Sequence, residues 1–252
     1  MPSRRILALA AAFTALALAL PSAANAAKPK RSYYVSLGDS YAAGFQATGP
    51  GTGRTTRNGF AYQLIGQARQ RGHRFELVNF GCGGETTSSI LTRTAACAGL
   101  GPGGETYAGR TQAAAAVRFL RRNRGKVGLI TVSIGGNDAT ACVREPDPVA
   151  CVGPATERVK ANGKLLLERV RRAAGRKPRI VGITYPDVIL GSWVSGLQAD
   201  RDLAASVIAF KSLLNPALKE MYQSVGGRFV DVTAATGAYT PLEQTTTLAP
   251  TA

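Results

Sequence analysis

The fold of this 252-residue chain is decided by residues 33–41, which have the sequence YYVSLGDSY. Residues 33–37 are aromatic or apolar apart from one serine, and such a run ending at a glycine predicts a β-strand. The turn Gly38-Asp39-Ser40 then takes the chain off the end of that strand. A serine at a strand-to-helix turn can project its hydroxyl from the edge of a sheet, so Ser40 is the first candidate for a nucleophile.

Strand and helix patterns alternate along the rest of the chain. This alternation predicts an α/β fold, because parallel strands need crossover helices that cover both faces of the sheet. We expect a three-layer α/β/α sandwich with five mainly parallel strands in the flavodoxin-like order 2-1-3-4-5. The predicted strands are residues 33–37, 75–80, 127–134, 179–184 and 228–232, and the predicted helices are 58–71, 112–123, 156–174 and 203–224.

Glycine-rich turns also follow the second and third predicted strands. The second strand is followed by Gly83-Gly84-Glu85-Thr86-Thr87, and the third by Gly135-Gly136-Asn137-Asp138. Each turn alone is an ordinary turn signature, but ligands in open parallel sheets bind beyond the carboxyl ends of the strands. An amide side chain and backbone N–H groups at this edge could form an oxyanion hole beside a serine.

These three turns together resemble the sequence blocks of the SGNH, or GDSL, hydrolase family. The chain is most similar to the secreted bacterial esterases and lipases of that family, from about residue 33 to its end. Val35 to Tyr41 resembles the first block, Gly84 falls on the glycine of the second block, and Gly135 to Asp138 resembles the third. Thr184-Tyr185-Pro186-Asp187 is also similar to a segment that follows the fourth strand in this branch.

The resemblance implies a secreted carboxylic ester hydrolase that acts on small-molecule or lipid esters. Ser40 would be the nucleophile, and the oxyanion hole would consist of the Ser40 N–H, the Gly84 N–H and the Asn137 side chain. No metal or organic cofactor is implied.

The sequence departs from the family in its last block. The family carries Asp-x-x-His near the C-terminus, where the histidine is the general base, and this sequence has no such motif. Its one histidine, His73, precedes the second predicted strand and so should lie at the opposite edge of the sheet from Ser40. Asp187 and Asp231 follow strands but fall outside the family motif, so neither is assigned. The alternatives are therefore a catalytically impaired or silent protein of this fold, or a chain truncated at its C-terminus.

The N-terminal residues have the pattern of a secretory signal peptide. Arg4 and Arg5 precede a mainly apolar run from Ile6 to Leu20, and Ala24-Asn25-Ala26 provides small residues for cleavage. An uncleaved anchor is the less favoured alternative, because the run is short for a membrane span. We expect a signal peptide over residues 1–26 and a single domain over residues 27–252, secreted without a stable membrane anchor.

Four cysteines in an exported protein indicate disulfides. Three pairings are possible, and the sequential pairing of Cys82 with Cys97 and Cys142 with Cys151 is favoured because it closes two short loops. A zinc site is the disfavoured alternative, since the spacings are unsuitable and the sequence contains a single histidine.

The chain is strongly basic, with a formal net charge of +16. Most of the basic residues are arginines spaced among alanine and leucine on predicted helices, which is typical of solvated helix faces. A nucleic-acid or anionic envelope surface is the alternative. No nucleic-acid-binding motif accompanies the charge, so no nucleic-acid partner is expected.

Overall fold

A computed structural model describes residues 32–49, 52–185 and 210–235 of the chain. Five of its strands form one sheet with neighbouring strands parallel, in the order β4-β1-β5-β6-β7. The fold class and strand order predicted from the sequence are confirmed. The described strands are β1 (Ser32–Gly38), β2 (Phe45–Gly49), β3 (Thr52–Thr55), β4 (Phe75–Asn79), β5 (Val127–Ser133), β6 (Arg179–Ile183) and β7 (Arg228–Val230).

Helices flank the sheet and connect its parallel strands. A 3₁₀ turn (Ala141–Arg144) and a π-helical segment (Phe210–Leu214) accompany them. The described α-helices are α1 (Ser40–Ala43), α2 (Phe60–Gln70), α3 (Ser89–Thr92), α4 (Gln112–Arg122), α5 (Gly136–Thr140), α6 (Pro148–Ala174), α7 (Asn215–Gln223) and α8 (Val232–Ala235). None of these helices is both long and apolar enough to cross a lipid bilayer.

The central strand β1 places alternate side chains on opposite faces of the sheet. The Tyr33 ring packs edge-on against Phe119 of α4, with ring centroids 5.1 Å apart. Tyr34 lies fully buried on the other face, where its hydroxyl is 2.8 Å from the Thr131 hydroxyl of β5. Both faces of β1 are therefore covered, as expected for a strand with β4 on one side and β5 on the other.

The structure corrects several element boundaries. The hairpin of β2 and β3 was not predicted from the sequence, because its residues are almost all exposed and lack an apolar alternation. Helix α6 begins at Pro148 and runs through Pro154, whereas the sequence predicted a start at residue 156. The Asp147 carboxylate caps the earlier start by accepting a hydrogen bond of 2.9 Å from the Ala150 N–H.

The last predicted strand is also shorter than expected, and the last predicted helix lies only partly within the described residues. Strand β7 ends at Val230 rather than at residue 232, because Asp231 accepts from the Ala234 N–H at 2.9 Å and starts α8. The helix predicted over residues 203–224 is described only from Phe210, and it consists of the π-helical segment followed by α7. Residues 203–209 lie outside the described part, as do the predicted signal peptide and Asp187.

Two disulfides join the cysteines in the sequential pairing that the sequence favoured. Cys82 is bonded to Cys97, and Cys142 is bonded to Cys151. The first closes the loop that carries Gly84, and the second ties the 3₁₀ turn after Asn137 to the first turns of α6. Closed loops of this length stabilise a fold by about 2–3 kcal/mol each, mainly by restricting the unfolded chain.

Candidate active site

The first site-forming turn is held tightly to the end of β1. Ser40 is the first residue of α1, and Asp39 is the N-cap, whose carboxylate accepts from the Tyr41 N–H at 3.0 Å. The Asp39 N–H donates to the Ser133 carbonyl of β5 at 3.1 Å. Gly38 has φ +135°, and a Cβ there would lie 1.9 Å from the same Ser133 oxygen. The backbone before Ser40 therefore requires glycine.

The Asp39 side chain is buried beside the candidate nucleophile. Burial, with smaller contributions from the nearby Asp138 and Glu85 carboxylates, raises the pKa of its carboxyl to about 8, although the Tyr41 hydrogen bond lowers it. Its second oxygen, Oδ2, has no hydrogen-bond partner within the described residues. Asp39 is therefore largely protonated at neutral pH, and it is a poor source of negative charge next to Ser40.

The raised pKa of Asp39 makes a prediction about stability. Between about pH 4 and pH 8 the folded chain holds a proton on Asp39 that the unfolded chain has released, so this group's contribution to stability falls as pH rises. The free energy of unfolding should lose as much as about 5 kcal/mol over that range, and Asp39→Asn should abolish this slope. Urea denaturation at pH 4, 6 and 8 measures it. The matched control is Asp147→Asn, an exposed N-cap, which should keep the wild-type slope. Parallel curves for wild type and Asp39→Asn would contradict the protonated state.

The second turn is fastened to the first through the backbone. The Cys82 N–H donates to the Gly38 carbonyl at 3.0 Å, and the Gly83 N–H donates to the Gly99 carbonyl at 3.1 Å. Gly84 follows with φ +77°, is exposed, and has open space where a Cβ would stand. No acceptor within the described residues takes the Gly84 N–H, so this donor is free to bind a ligand.

The third turn is fastened to the second by side chains. The Asn137 amide Nδ2 donates to the Glu85 carbonyl at 2.8 Å, which leaves one of its two N–H groups for another acceptor. The Asp138 carboxylate accepts from the Thr87 N–H at 2.9 Å and from the Thr87 hydroxyl at 2.6 Å. Burial raises the Asp138 pKa despite these two bonds. All three turns thus form one hydrogen-bonded unit at the carboxyl edge of the sheet.

An ion pair between the buried Glu85 and the half-buried Arg93 supports the second turn. The Glu85 side chain, 1% exposed, forms an ion pair of 2.6 Å with Arg93 and accepts a hydrogen bond from the Ser89 hydroxyl. The same Arg93 nitrogen lies 3.0 Å from the Cys82 sulfur. Loss of the Arg93 contact would leave the buried Glu85 carboxylate without a compensating charge, so the pair favours this position of Glu85 next to Gly84. Sequence analysis assigned no role to this pair, because residues eight positions apart give no helical or strand signal.

The structure places His73 far from Ser40. His73 precedes β4, and it lines a groove of about 470 Å³ with Arg69 and Phe75, among others. Strands β1 and β4 are parallel, with Ser32 beside Phe75 and Ser36 beside Asn79. The two residues therefore lie beyond opposite ends of a ladder that is itself about 13 Å long, well outside hydrogen-bond reach.

Asp231 has a local structural role. Besides capping α8, its carboxylate accepts a hydrogen bond from the Thr184 hydroxyl at 3.3 Å. Both contacts fix the chain after β6 and β7. Within the described residues, no cluster of three or more histidine, cysteine or acidic side chains could hold a metal ion.

Two residues at this edge were missed by sequence analysis. The Gln112 side chain binds the Gly38 peptide from the start of α4. The Tyr185 ring packs against Gly136, whose Cβ would lie 1.9 Å from it, and meets the Tyr41 ring edge-on at 5.3 Å. The resemblance of residues 184–187 to a family segment was a sequence signal that could have pointed to Tyr185. No pattern in the sequence pointed to Gln112.

Comparisons with known proteins agree with this architecture. A model of the GDSL-like lipase/acylhydrolase family matches residues 36–250. Among solved structures, a phospholipase A1 from Streptomyces albidoflavus NA297 is 23% identical with a TM-score of 0.53, covering 82% of each chain. An extracellular lipase from Streptomyces rimosus is 21% identical with a TM-score of 0.47, also covering 82% of each chain. A search of curated proteins finds no match. The first structure shares the fold, and the family match over most of the sequence shows that this chain belongs to the GDSL-like lipase/acylhydrolase family.

Proposed function

We propose that the protein hydrolyses carboxylic esters with Ser40 as the nucleophile. The observation that carries the proposal is the joining of three turns at one edge of the sheet. The Cys82 N–H donates to the Gly38 carbonyl, and the Asn137 side chain donates to the Glu85 carbonyl. The turns around Ser40, Gly84 and Asn137 are therefore joined by hydrogen bonds. Membership of a family of lipases and acylhydrolases supports an ester as substrate.

The chemistry follows from the donors at this edge. The Ser40 oxygen attacks the ester carbonyl carbon and loses its proton to a base, and the carbonyl oxygen becomes an oxyanion. The N–H groups of Ser40 and Gly84 and the second N–H of the Asn137 amide stabilise that charge. Collapse of the tetrahedral intermediate, with the proton returned from the base, releases the alcohol and leaves an acyl-Ser40 ester. Water then hydrolyses this ester to the carboxylic acid and regenerates the Ser40 hydroxyl. Small-molecule or lipid esters are the substrate class.

We also propose that the mature protein works outside the cytoplasm. The charged start, apolar run and Ala24-Asn25-Ala26 site support removal of residues 1–26 during export. The two disulfides support the same conclusion, because such bonds persist in oxidising compartments.

A second candidate function is a catalytically impaired protein of the same fold. The observation that favours it is the position of His73, the one histidine of the 252 residues, at the far end of the sheet. A serine without a base is a weak nucleophile. The members of a triad act as a unit, so removing the serine of an enzyme that already lacks its histidine costs little more.

Hydrolysis of p-nitrophenyl acetate, with and without added imidazole, tests both proposals. Without imidazole, impairment predicts that wild type, Ser40→Ala and His73→Ala share a low rate, about 10³–10⁴ above water, which comes from the oxyanion donors and binding. The proposed hydrolase predicts instead that wild type and His73→Ala exceed Ser40→Ala. Imidazole should supply the base, so wild type and His73→Ala should then exceed Ser40→Ala, whose rate with imidazole is the blank.

The outcomes separate the candidates. Turnover that depends on Ser40 without imidazole would support the hydrolase and contradict impairment. Turnover that depends on Ser40 only with imidazole would support both the nucleophile and impairment. Equal rates in wild type and Ser40→Ala under both conditions would contradict Ser40 as the nucleophile, and loss of the imidazole-free rate in His73→Ala would contradict the placement of His73.

A further inference from the structure

The Gln112 side chain forms two hydrogen bonds with the backbone of Gly38. Its Oε1 accepts from the Gly38 N–H at 2.8 Å, and its Nε2 donates to the Gly38 carbonyl at 2.9 Å. Gln112 is fully buried, and it lies 74 positions from Gly38 in the sequence. The orientation of the amide is fixed by these two partners, because one is a donor and the other an acceptor.

We call this pair of hydrogen bonds between Gln112 and Gly38 the clamp. It lies where the pairing of β1 with β4 ends. The last paired residues of β1 and β4 are Ser36 and Asn79, so Gly38 extends beyond the end of β4. A primary amide can present an acceptor and a donor side by side, as a strand residue does, and Gln112 therefore supplies the two hydrogen bonds that a neighbouring strand would make. The Cys82 N–H adds a second donor to the same Gly38 carbonyl at 3.0 Å.

Gln112 is itself held in place by its own helix. It is the first residue of α4, where Thr111 is the N-cap and accepts from the Ala114 N–H at 3.1 Å. Its Nε2 also lies 3.4 Å from the buried Tyr107 hydroxyl. Burial raises the Tyr107 pKa to about 12, so this phenol stays neutral.

We propose that Gln112 is a positioning residue that aims Ser40 at the substrate, an inference that rests on the proposed hydrolysis through Ser40. Gly38 lies two residues before Ser40, in a backbone region that glycine enters easily and also leaves easily. The clamp removes that freedom at the start of the turn. It thereby fixes both the Ser40 hydroxyl and the Ser40 N–H, whose placement catalysis requires to within a fraction of an ångström.

Gln112→Glu tests the clamp with almost no change in shape. An ionised glutamate still accepts a hydrogen bond from the Gly38 N–H, but its second oxygen faces the Gly38 carbonyl, and two acceptors repel each other. A protonated glutamate donates to that carbonyl and restores both hydrogen bonds. Its position in the first turn of α4 is compatible with negative charge. In the presence of imidazole, the Ser40-dependent kcat of Gln112→Glu should be about 10–100-fold below that of wild type at high pH. The ratio of the two kcat values should recover as pH is lowered, and KM should change little. Gln70→Glu, at an exposed position in α2, should match wild type at every pH.

Amide hydrogen exchange of the peptide spanning Gly38 to Tyr41 provides a readout that does not need turnover. In Gln112→Glu its protection relative to wild type should fall at high pH and return at low pH. Gln112→Met, which fills the same volume without either bond, should show lower protection and lower kcat at all pH values. This second variant decides the matter if the glutamate variant does not fold.

The outcomes distinguish this inference from the proposed function. Wild type without Ser40-dependent turnover, with or without imidazole, would overturn the proposed function and the aiming role together, while the exchange data would still decide whether the clamp exists. Protection equal to wild type in both variants would overturn the clamp. Reduced protection in the variants, with a kcat equal to that of wild type at every pH, would show that Gln112 only stabilises the local fold. That result would overturn the positioning role.

Discussion

Replacing Gly38 by alanine is expected to lower the free energy of unfolding by about 2–6 kcal/mol. The residue has φ +135°, a region that L side chains rarely enter, and this strain alone costs about 1–3 kcal/mol. In addition, the new Cβ would lie 1.9 Å from the Ser133 carbonyl oxygen, which belongs to the neighbouring strand and already accepts the Asp39 N–H. Strand β5 would have to move, and overpacking of this kind costs a further 1–3 kcal/mol or so.

Gly72→Ala is the matched control for that prediction. Gly72 has φ +80° but no atom within 4 Å of a built Cβ, so the substitution carries the backbone strain without the collision. We expect it to cost about 1 kcal/mol. Urea denaturation of the two variants measures the difference. Equal losses of stability would contradict the close approach of Gly38 to β5.

Asn137→Ala is expected to lower the rate of p-nitrophenyl acetate hydrolysis about 10²–10³-fold, with KM little changed. Asn137 is proposed to stabilise charge that develops only in the transition state, so its loss should appear in kcat. The effect should be the same with and without imidazole, because the oxyanion donors act whether or not a base assists Ser40.

Asn58→Ala is the control for the asparagine prediction. Its side chain is exposed, and the Asn58 contacts in the structure involve its backbone N–H and carbonyl. We expect this variant to keep the wild-type rate. A wild-type kcat in Asn137→Ala would remove Asn137 from the proposed oxyanion hole. A raised KM with unchanged kcat would instead assign it to ground-state binding.

The sheet was predictable from the sequence because buried parallel strands give the strongest local signal. Residues 127–134 form a mainly apolar run, which is what a strand covered on both faces requires. The three site-forming turns were predictable for a related reason, since each is rich in glycine and directly follows such a strand. The alternation of strands with helices then limited the topology to very few arrangements.

The contacts that tie the turns together could not be predicted in this way. Gln112 has the composition of an ordinary helix start, and its partner Gly38 lies 74 residues away. The bond from Asn137 to the Glu85 carbonyl spans 52 residues and likewise leaves no trace in local pattern. Periodicity reports which face of an element is buried, but not which polar group it meets there.

Boundary errors had a different physical cause. Helix α6 starts before the predicted residue 156 and passes through Pro154, because the Asp147 cap and the Cys142–Cys151 disulfide hold its first turns in place. At β7 the side chain of Asp231 starts a short helix where the apolar pattern continued. In both places a cap or a covalent bond outweighed local propensity.

The central position of β1 also sets the order in which the chain can fold as it leaves the ribosome. Tyr34 of β1 meets Thr131 of β5, which is 97 residues later in the chain. At about 5–20 residues per second, translation delivers that partner some 5–20 s after β1 has emerged. During this interval the edge of β1 that faces β5 in the folded sheet has backbone N–H and C=O groups without a strand partner. The strand that leads to the candidate nucleophile is thus the first of the sheet to be made, and it waits for a partner 97 residues away, a delay typical of sheets with non-local pairing.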